Sequence, residues 1–208
     1  NDSLSINTGL QVMAPYILSV RPLPDSELDC DTLARRGVPA LAAPLLEPHL
    51  IAPTLPHDPS LYAGLIFTSR HAVDGFLAAL GNGGPGGWAA LPVFAVGPAT
   101  ARVAGMAGFS VKVTGHGGGG GLAPLIHEHV NAGGLPLLWP AARDRGFDMV
   151  AALAPAITVE DIAVYAMERT LRLTDAALDA LAYGKILAVK LMSARSAHLF
   201  WHDLGRAY

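Results

Sequence analysis

Short apolar runs alternate with helix-length segments along almost the whole chain. The run YILSV at 16–20 precedes a helical pattern at 25–36, and VPALAA at 38–43 follows it. Strands separated by helices are typical of parallel sheets, because a tight turn cannot connect two parallel neighbours. The pattern therefore predicts an α/β protein. The other predicted strands are 64–68, 92–96, 109–113, 136–139, 157–165 and 186–192, and the other predicted helices are 70–80, 98–107, 122–132, 144–153 and 175–182.

Two segments interrupt this alternation and are interpreted as linkers. The first, at 45–59, is rich in proline, and the second, at 164–175, is extended and charged. A chain that leaves one domain at the first segment and returns at the second has an inserted central domain and a discontinuous outer domain. The predicted bounds are 54–163 for the central domain, 14–46 plus 172–208 for the outer domain, 47–53 and 164–171 for the linkers, and 1–13 for a leader or cloning remnant, with Met13 as the natural start.

An internal repeat relates the two halves of the chain. The spacing that separates Ser69 from Ser193 also separates Phe76 from Phe200 and Gly81 from Gly205. In each half a serine follows a strand, precedes an amphipathic helical pattern and stands where a side-chain oxygen caps free backbone amides. The serines therefore have a sufficient structural role as caps. Hydrolase chemistry is disfavoured, because the sequence around Ser69 lacks the glycines of a nucleophile elbow.

Composition narrows the classes of partner. The chain has 208 residues, of which 51% are hydrophobic and 15% are charged, as expected for a folded globular protein. Its formal net charge of -3 argues against nucleic acid and anionic membranes as partners, and no apolar run is long enough to cross a bilayer. Cys30 is the single cysteine, so an internal disulfide is impossible and a reducing cytoplasm is the simplest location.

The strand-to-helix junctions are the best candidates for a binding site. Free amides at helix starts face outward at the carboxyl edge of such a sheet and suit an anionic or polar ligand. In AVGPATA, Gly97 permits close backbone approach and Thr100 offers a hydroxyl, although the segment is equally consistent with an ordinary tight turn. Six segments have this character: SVRPLPDS, FTSRHA, VGPATA, TGHGGGGGLA, WPAARDR and MSARSA.

The glycine run at 115–121 does not match a phosphate-binding loop. Leu122 and Ala123 follow it where the Walker motif has Lys and Ser or Thr, and no dinucleotide fingerprint is present. The run is interpreted as a flexible connector, which disfavours a nucleotide- or flavin-binding domain. His127 and His129, two positions apart on a predicted helix, point in different directions, so no metal site is predicted.

Tyr165 ends the predicted strand at the second linker. Its phenol has an ordinary pKa near 10, which makes it a proton donor at neutral pH. An aromatic residue that packs at a hinge between domains is an equally good interpretation.

Taken in order, six segments resemble the uroporphyrinogen-III synthase family. They are ILSVRP, FTSRHAVDGF, AVGPATA with AGFSV, the Gly-Gly-Leu helix start, LLWPAARDR and IAVYAMER, and they extend over about residues 16–205. The resemblance implies two flavodoxin-like domains with parallel sheets, one inserted into the other through a two-stranded linker. It also implies a cofactor-free lyase that converts the linear tetrapyrrole hydroxymethylbilane, which has eight carboxylates, into uroporphyrinogen III with loss of water and inversion of ring D.

The resemblance also assigns roles to residues. Tyr165 matches the family's favoured proton donor to the leaving hydroxyl. The protein is expected to be a cytoplasmic monomer that needs no metal, nucleic acid or membrane. A non-catalytic two-lobed module that binds a small anion is the alternative. The residues expected to line the substrate site, more through backbone than side-chain atoms, are Arg21, Thr68, Ser69, Gly97, Thr100, Arg143 and Ser193.

Three features depart from the family pattern. The sequence ends at Tyr208 where a further strand, helix and strand are expected, so the outer domain is expected to be incomplete at its C-terminus. Met167 and Arg169 replace the usual Thr and Pro after the tyrosine. Lys190 stands within a predicted strand at the position that Ile66 has in the other half, where an unpaired ammonium would be costly.

Overall fold

Parallel strands and helices alternate in the computed structural model, which describes residues 15–170 and 172–207. The predicted leader at 1–13 lies outside these residues. The strands are β1 (Tyr16–Ser19), β2 (Ala40–Ala42), β3 (Leu46–Leu50), β4 (Gly64–Phe67), β5 (Pro92–Ala95), β6 (Ser110–Thr114), β7 (Leu137–Ala142), β8 (Val159–Arg169) and β9 (Ile186–Lys190). The helices are α1 (Asp25–Ala34), α2 (Arg70–Leu80), α3 (Pro98–Met106), α4 (Gly119–His129), α5 (Met149–Leu153), α6 (Asp175–Ala182) and α7 (Ala194–Ala207).

The described chain forms two units. Residues up to Glu47 and from Arg169 onward belong to unit 1, and Pro48–Glu168 form unit 2. The chain therefore enters unit 2 within β3 and leaves it at the end of β8. Both segments that the sequence predicts as linkers, 47–53 and 164–171, overlap these strands.

Unit 1 contains a parallel three-stranded sheet in the order β2-β1-β9. In chain order this is 2-1-3, which matches the first three positions of a flavodoxin-like sheet. Helices α6 and α7 contribute to the core beside the sheet. The buried residues of this core are Leu18, Val20, Ala43, Leu45, Leu173, Ala177 and Phe200.

Unit 2 contains a six-stranded sheet in the order β3-β8-β7-β4-β5-β6. The pairs from β8 to β6 are parallel. In chain order, β4 to β8 have the arrangement 3-2-1-4-5, whereas a flavodoxin-like sheet has 2-1-3-4-5. Unit 2 therefore differs from the flavodoxin-like order, because β6 extends the sheet beyond β5 and the chain returns to the other side of β4 only with β7.

Helices cover both faces of the unit 2 sheet. Residues of α2 and α3, such as Phe76 and Ala104, pack with Leu65 and Phe67 in one core. Residues of α4 and α5, such as Leu122 and Met149, belong to the opposite core. The direction of the chain reverses between β4 and β7, and a crevice outside the carboxyl ends of strands at such a switch point is the common ligand site of open α/β sheets.

Helix α2 has the predicted bounds and lies unusually close to β8. A Cβ at Gly75 would be 2.5 Å from the carbonyl oxygen of Val164, so only glycine allows this approach. The close packing brings the start of α2 beside the segment that contains Tyr165.

Two predicted helices differ from the structure at their starts. Helix α4 begins at Gly119, so part of the glycine run is helical rather than a flexible connector. A Cβ at Gly121 would be 1.7 Å from the carbonyl oxygen of His116, so the backbone is tightly packed at this position of the run. Helix α5 begins only after Asp148, whose carboxylate accepts a hydrogen bond from the backbone N–H of Ala151 and thereby caps the helix.

Candidate active site

Ser69 and Tyr165 form the centre of the candidate site in unit 2. Ser69 follows β4, and its hydroxyl accepts a hydrogen bond from the backbone N–H of Ala72 at 3.0 Å, which confirms its predicted role as the cap of α2. The same hydroxyl lies 2.9 Å from the phenol oxygen of Tyr165 on β8. The hydroxyl of Ser69 therefore both caps α2 and forms a hydrogen bond with Tyr165.

Burial keeps the phenol of Tyr165 protonated. Only 7% of the residue is exposed, and this burial raises its pKa above the usual 10.0, while the hydrogen bond with Ser69 lowers it. Tyr165 can therefore donate a proton at neutral pH but does not act as a base there.

His71 packs against Tyr165, a neighbour that the sequence did not indicate. The two ring centroids are 5.7 Å apart and the ring planes are tilted by 54°. Burial lowers the pKa of His71, Asp74 raises it and Arg70 lowers it, with a net decrease. The imidazole is therefore mainly neutral at pH 7.

Thr68 lies across the switch point from β7. Its hydroxyl accepts a hydrogen bond from the indole Nε1 of Trp139 at 3.1 Å, which joins the carboxyl end of β4 to the middle of β7. Sequence reasoning did not identify Trp139 as a partner of the site. Its position as the first residue of the candidate junction WPAARDR was the only signal.

Arg143 follows β7 and is connected to Tyr165 through the backbone. Its N–H donates a hydrogen bond to the carbonyl oxygen of Tyr165 at 2.8 Å. Its exposed guanidinium forms a long ion pair of 3.9 Å with Glu168. Such exposed pairs contribute little stability, so the guanidinium is compatible with an anionic ligand.

Gly97 and Thr100 lie at the start of α3, after β5. Gly97 precedes the helix with an extended backbone, at φ −176°, and Pro98 occupies the first helical position as expected. A Cβ at Gly97 would meet only the carbonyl oxygen of Gly115, at 3.8 Å, so protein packing does not require glycine there. The side chain of Thr100 is buried, with 5% of the residue exposed.

The remaining predicted residues, Arg21 and Ser193, belong to unit 1. Ser193 accepts a hydrogen bond from the N–H of Ser196 at 3.1 Å and so caps α7 as predicted. The guanidinium of Arg21 contacts Asp25 at 2.8 Å and Asp29 at 3.2 Å. Lys190 is not unpaired, because its Nζ lies 2.7 Å from Asp29.

No group of side chains with the composition of a metal site occurs among residues 15–170 and 172–207. Over the same residues, no helix is long and apolar enough to cross a membrane. The site in unit 2 instead offers a protonated phenol, two hydroxyls, helix starts and a guanidinium.

These features define a mixed α/β protein with parallel sheets, in which polar groups collect at the carboxyl edge of a doubly wound sheet. The family model described as uroporphyrinogen-III synthase HemD matches residues 30–207. The chain belongs to this family, whose members are enzymes with a cyclising, lyase-type activity on a small tetrapyrrole substrate.

Solved structures of the family have a similar fold. A mutant uroporphyrinogen III synthase from Thermus thermophilus aligns with a TM-score of 0.58 and 18% identity, over 91% of this chain and 77% of its own. Uroporphyrinogen-III synthetase from Helicobacter pylori aligns with a TM-score of 0.59 and 22% identity, over 91% of this chain and 78% of its own. No curated protein matches the chain significantly in sequence. At these identities the structural matches establish the α/β fold with parallel sheets.

Proposed function

We propose that this chain is a cofactor-free uroporphyrinogen-III synthase that closes hydroxymethylbilane with loss of water and inversion of ring D. The observation that supports this function best is the 2.9 Å contact between Ser69 and the buried phenol of Tyr165. A phenol that is held in one place and kept protonated is suited to assist the departure of a hydroxyl group.

Tyr165 acts in the first step. Its O–H donates a proton to the terminal hydroxyl of the bilane, the carbon–oxygen bond breaks and water leaves. Ser69 orients the phenol, since its own position is set by the cap of α2. The electron pair that stabilises the resulting azafulvene comes from the pyrrole nitrogen of the substrate, so no strong base is needed.

Ring inversion then depends on position more than on acid–base groups. The substituted carbon of the last ring attacks the electrophilic azafulvene carbon and forms a spiro-pyrrolenine. The bond from the spiro carbon to the bridge of the neighbouring ring then breaks, and the free α-carbon of the last ring attacks that bridge carbon, which closes the ring in the inverted sense. The last ring loses a proton when it becomes aromatic again, and this proton restores the phenol of Tyr165. The protein accelerates this path by holding both ends of the bilane together, because the uncatalysed closure gives the symmetric type I isomer.

The carboxylates of the bilane are expected to bind at the helix starts of unit 2. Free amides at the starts of α2 and α3 present donors and the positive end of a helix dipole to an anion. Arg143 can exchange its long contact with Glu168 for a substrate carboxylate. Thr68 sets the position of this edge through its bond to Trp139.

The proposal includes the inserted two-domain organisation that the family resemblance implied. The entry of the chain into unit 2 within β3 and its exit at the end of β8 support it. The outer domain is proposed to have flavodoxin-like topology, in line with the strand order β2-β1-β9.

Isomer analysis tests the function directly. The purified protein is incubated with freshly prepared hydroxymethylbilane, the products are oxidised to porphyrins, and the type I and type III isomers are separated by chromatography. We expect mainly type III. Exclusive formation of type I by folded protein contradicts the proposal, and tight binding of the bilane without conversion would indicate a binding module instead.

A further inference from the structure

The imidazole of His71 is a second titratable group beside Tyr165, within the same unit. His71 is the second residue of α2, and its ring centroid lies 5.7 Å from that of Tyr165. The side chain is partly buried, yet neither ring nitrogen has a hydrogen-bond partner among residues 15–170 and 172–207, and neither is fully enclosed. A half-buried polar ring without a protein partner is open to a ligand, because buried polar groups are normally hydrogen-bonded.

We propose that His71 is a catalytic residue that takes the proton from the last ring of the tetrapyrrole and passes it to the phenolate of Tyr165. This inference rests on the proposed function and adds a second acid–base group to the same site. Both residues belong to unit 2, so the inference involves no residue of unit 1. The sequence did not suggest His71 for the site.

The two proton transfers of the proposed reaction occur at different atoms of the substrate. The first proton goes from Tyr165 to the hydroxyl at one end of the bilane. The second leaves the α-carbon of the last ring after that carbon has bonded to the bridge of the neighbouring ring. Tyr165 is buried, and Ser69 holds its phenol oxygen at 2.9 Å. A separate acceptor beside the phenol allows the second transfer without displacing Tyr165.

The second transfer is balanced when the acceptor is a neutral imidazole. One ring nitrogen of His71 accepts the proton, and the electron pair of the broken carbon–hydrogen bond restores the aromatic pyrrole. The imidazolium then gives this proton to the phenolate of Tyr165, which returns both side chains to their starting states. The distance of 5.7 Å between the ring centroids is compatible with transfer through one water molecule.

The surroundings of both rings favour this direction of transfer. Burial lowers the pKa of His71 below its ordinary 6.5, so the imidazole is neutral and able to accept a proton at pH 7. Burial raises the pKa of Tyr165, so its phenolate takes the proton from an imidazolium. The charged groups that act on His71 are Asp74 and Arg70 of its own helix, with opposite effects, and Tyr165 faces it from β8.

A packing role for residue 71 does not require a histidine. Phenylalanine would contact the ring of Tyr165 equally well and would have no polar atoms that lack a protein partner. The two roles therefore separate in His71→Phe, which keeps an aromatic ring but removes the proton acceptor.

Two variants of His71 and one matched control test the inference. His71→Gln keeps hydrogen-bonding groups but cannot take up a proton, and His71→Phe keeps the ring. The control is His127→Gln, since His127 is exposed on α4, whose buried residues belong to the opposite core of unit 2. The readouts are the kcat and KM for type III formation, the pH profile of kcat, and the rate with hydroxymethylbilane deuterated at the free α-carbon of the last ring.

We expect both His71 variants to lower kcat at least about tenfold, with KM within about threefold of wild type. The deuterated bilane should react at least about twofold more slowly than the ordinary bilane in these variants, because loss of this proton becomes the slow step. The kcat of wild type should decrease as the pH falls below 6.5 and His71 is protonated, and the variants should lack this decrease. His127→Gln should match wild type in every assay.

The role of His71 is overturned if His71→Phe keeps the kcat of wild type, or if a folded variant shows no larger isotope effect than wild type. Thermal unfolding establishes which variants are folded, and His71→Phe carries the test if His71→Gln does not fold. Exclusive type I product from wild type contradicts the synthase function itself. Type III product from wild type, together with unaffected His71 variants, overturns only the role of His71.

Discussion

The hydroxyl groups of Ser69 and Tyr165 lie 2.9 Å apart and connect the start of α2 to strand β8. Gly75 of α2 makes this contact possible, because any larger residue at position 75 would collide with the backbone of Val164, the neighbour of Tyr165. The position of the proposed proton donor thus depends on helix packing as well as on its own strand.

Tyr165→Phe removes the proposed proton donor but keeps the ring. We expect turnover to fall about tenfold or more, equivalent to about 1.4 kcal/mol in the barrier, with a smaller change in KM. Initial rates of type III formation measure the effect. Tyr183→Phe is the control, since Tyr183 is 76% exposed and lies in unit 1. Wild-type turnover in Tyr165→Phe would remove this phenol from the mechanism.

Ser69→Ala removes both a helix cap and the partner of Tyr165. Loss of the cap is expected to cost about 1 kcal/mol of unfolding free energy, and Asp148→Ala, which removes the cap of α5, should cost a similar amount. Only Ser69→Ala should reduce turnover. It should also raise the pKa of Tyr165 further, because the hydrogen bond with Ser69 lowers that pKa.

Absorbance titration of the phenolate at alkaline pH, with Tyr165→Phe as reference, measures this shift. If Ser69→Ala and Asp148→Ala lose the same stability and both keep full turnover, the contact between Ser69 and Tyr165 has no catalytic role.

Gly97→Ala tests whether substrate approaches the start of α3. The extended backbone accepts alanine, and its Cβ would have only an ordinary contact with Gly115, so the variant should fold normally. We expect the KM for hydroxymethylbilane to rise several-fold, because the methyl group would occupy space near the free amides. Gly105→Ala is the control, since nothing lies within 4 Å of its Cβ and helix propensity favours alanine by up to about 1 kcal/mol. Equal KM values for the two variants would exclude Gly97 from the binding surface.

Gly121→Ala tests the packing of the glycine run. Its Cβ would overlap the carbonyl oxygen of His116, so the variant should lose at least about 1–3 kcal/mol of unfolding free energy, as overpacked sites do. Gly83→Ala, in an open loop, should change stability by less than about 0.5 kcal/mol. Thermal or urea unfolding compares the two. Equal stabilities would indicate that the run is the flexible connector predicted from sequence.

Tyr62 should make stability depend on alkaline pH. Burial and the 2.5 Å hydrogen bond to Glu160 raise the pKa of Tyr62 from 10.0 to about 12. The folded state therefore holds its proton more tightly than the unfolded state. The associated stability is complete below pH 10 and is lost as the pH rises toward 12. Urea unfolding of Tyr62→Phe should show a weaker decrease over this range than wild type, and an identical decrease would contradict the assignment.

Local sequence signals predicted the helices that begin at a serine cap. The bounds of α2 agree with the sequence prediction, and Ser69 and Ser193 cap helices as expected, because capping depends on residues only a few positions away. The start of α5 was misplaced since WPAARDR resembles a helix start, whereas the cap is Asp148 further along.

Contacts between distant segments could not be derived in the same way. Trp139 meets Thr68 only because β7 lies beside β4, and strand order is not encoded in the alternation of strands and helices. For the same reason the sequence could identify Lys190 as an anomaly but not its partner Asp29.

The sequence by itself determined the α/β class, the family and the residues that begin its helices, because periodicity, caps and ordered motifs are local properties of the chain. The tertiary structure alone decided the 3-2-1-4-5 order of the central strands, the close packing of Gly121 against His116 and the pairing of Ser69 with Tyr165. These features depend on which strands become neighbours and how closely backbones approach, and both are set by packing over the whole of each sheet.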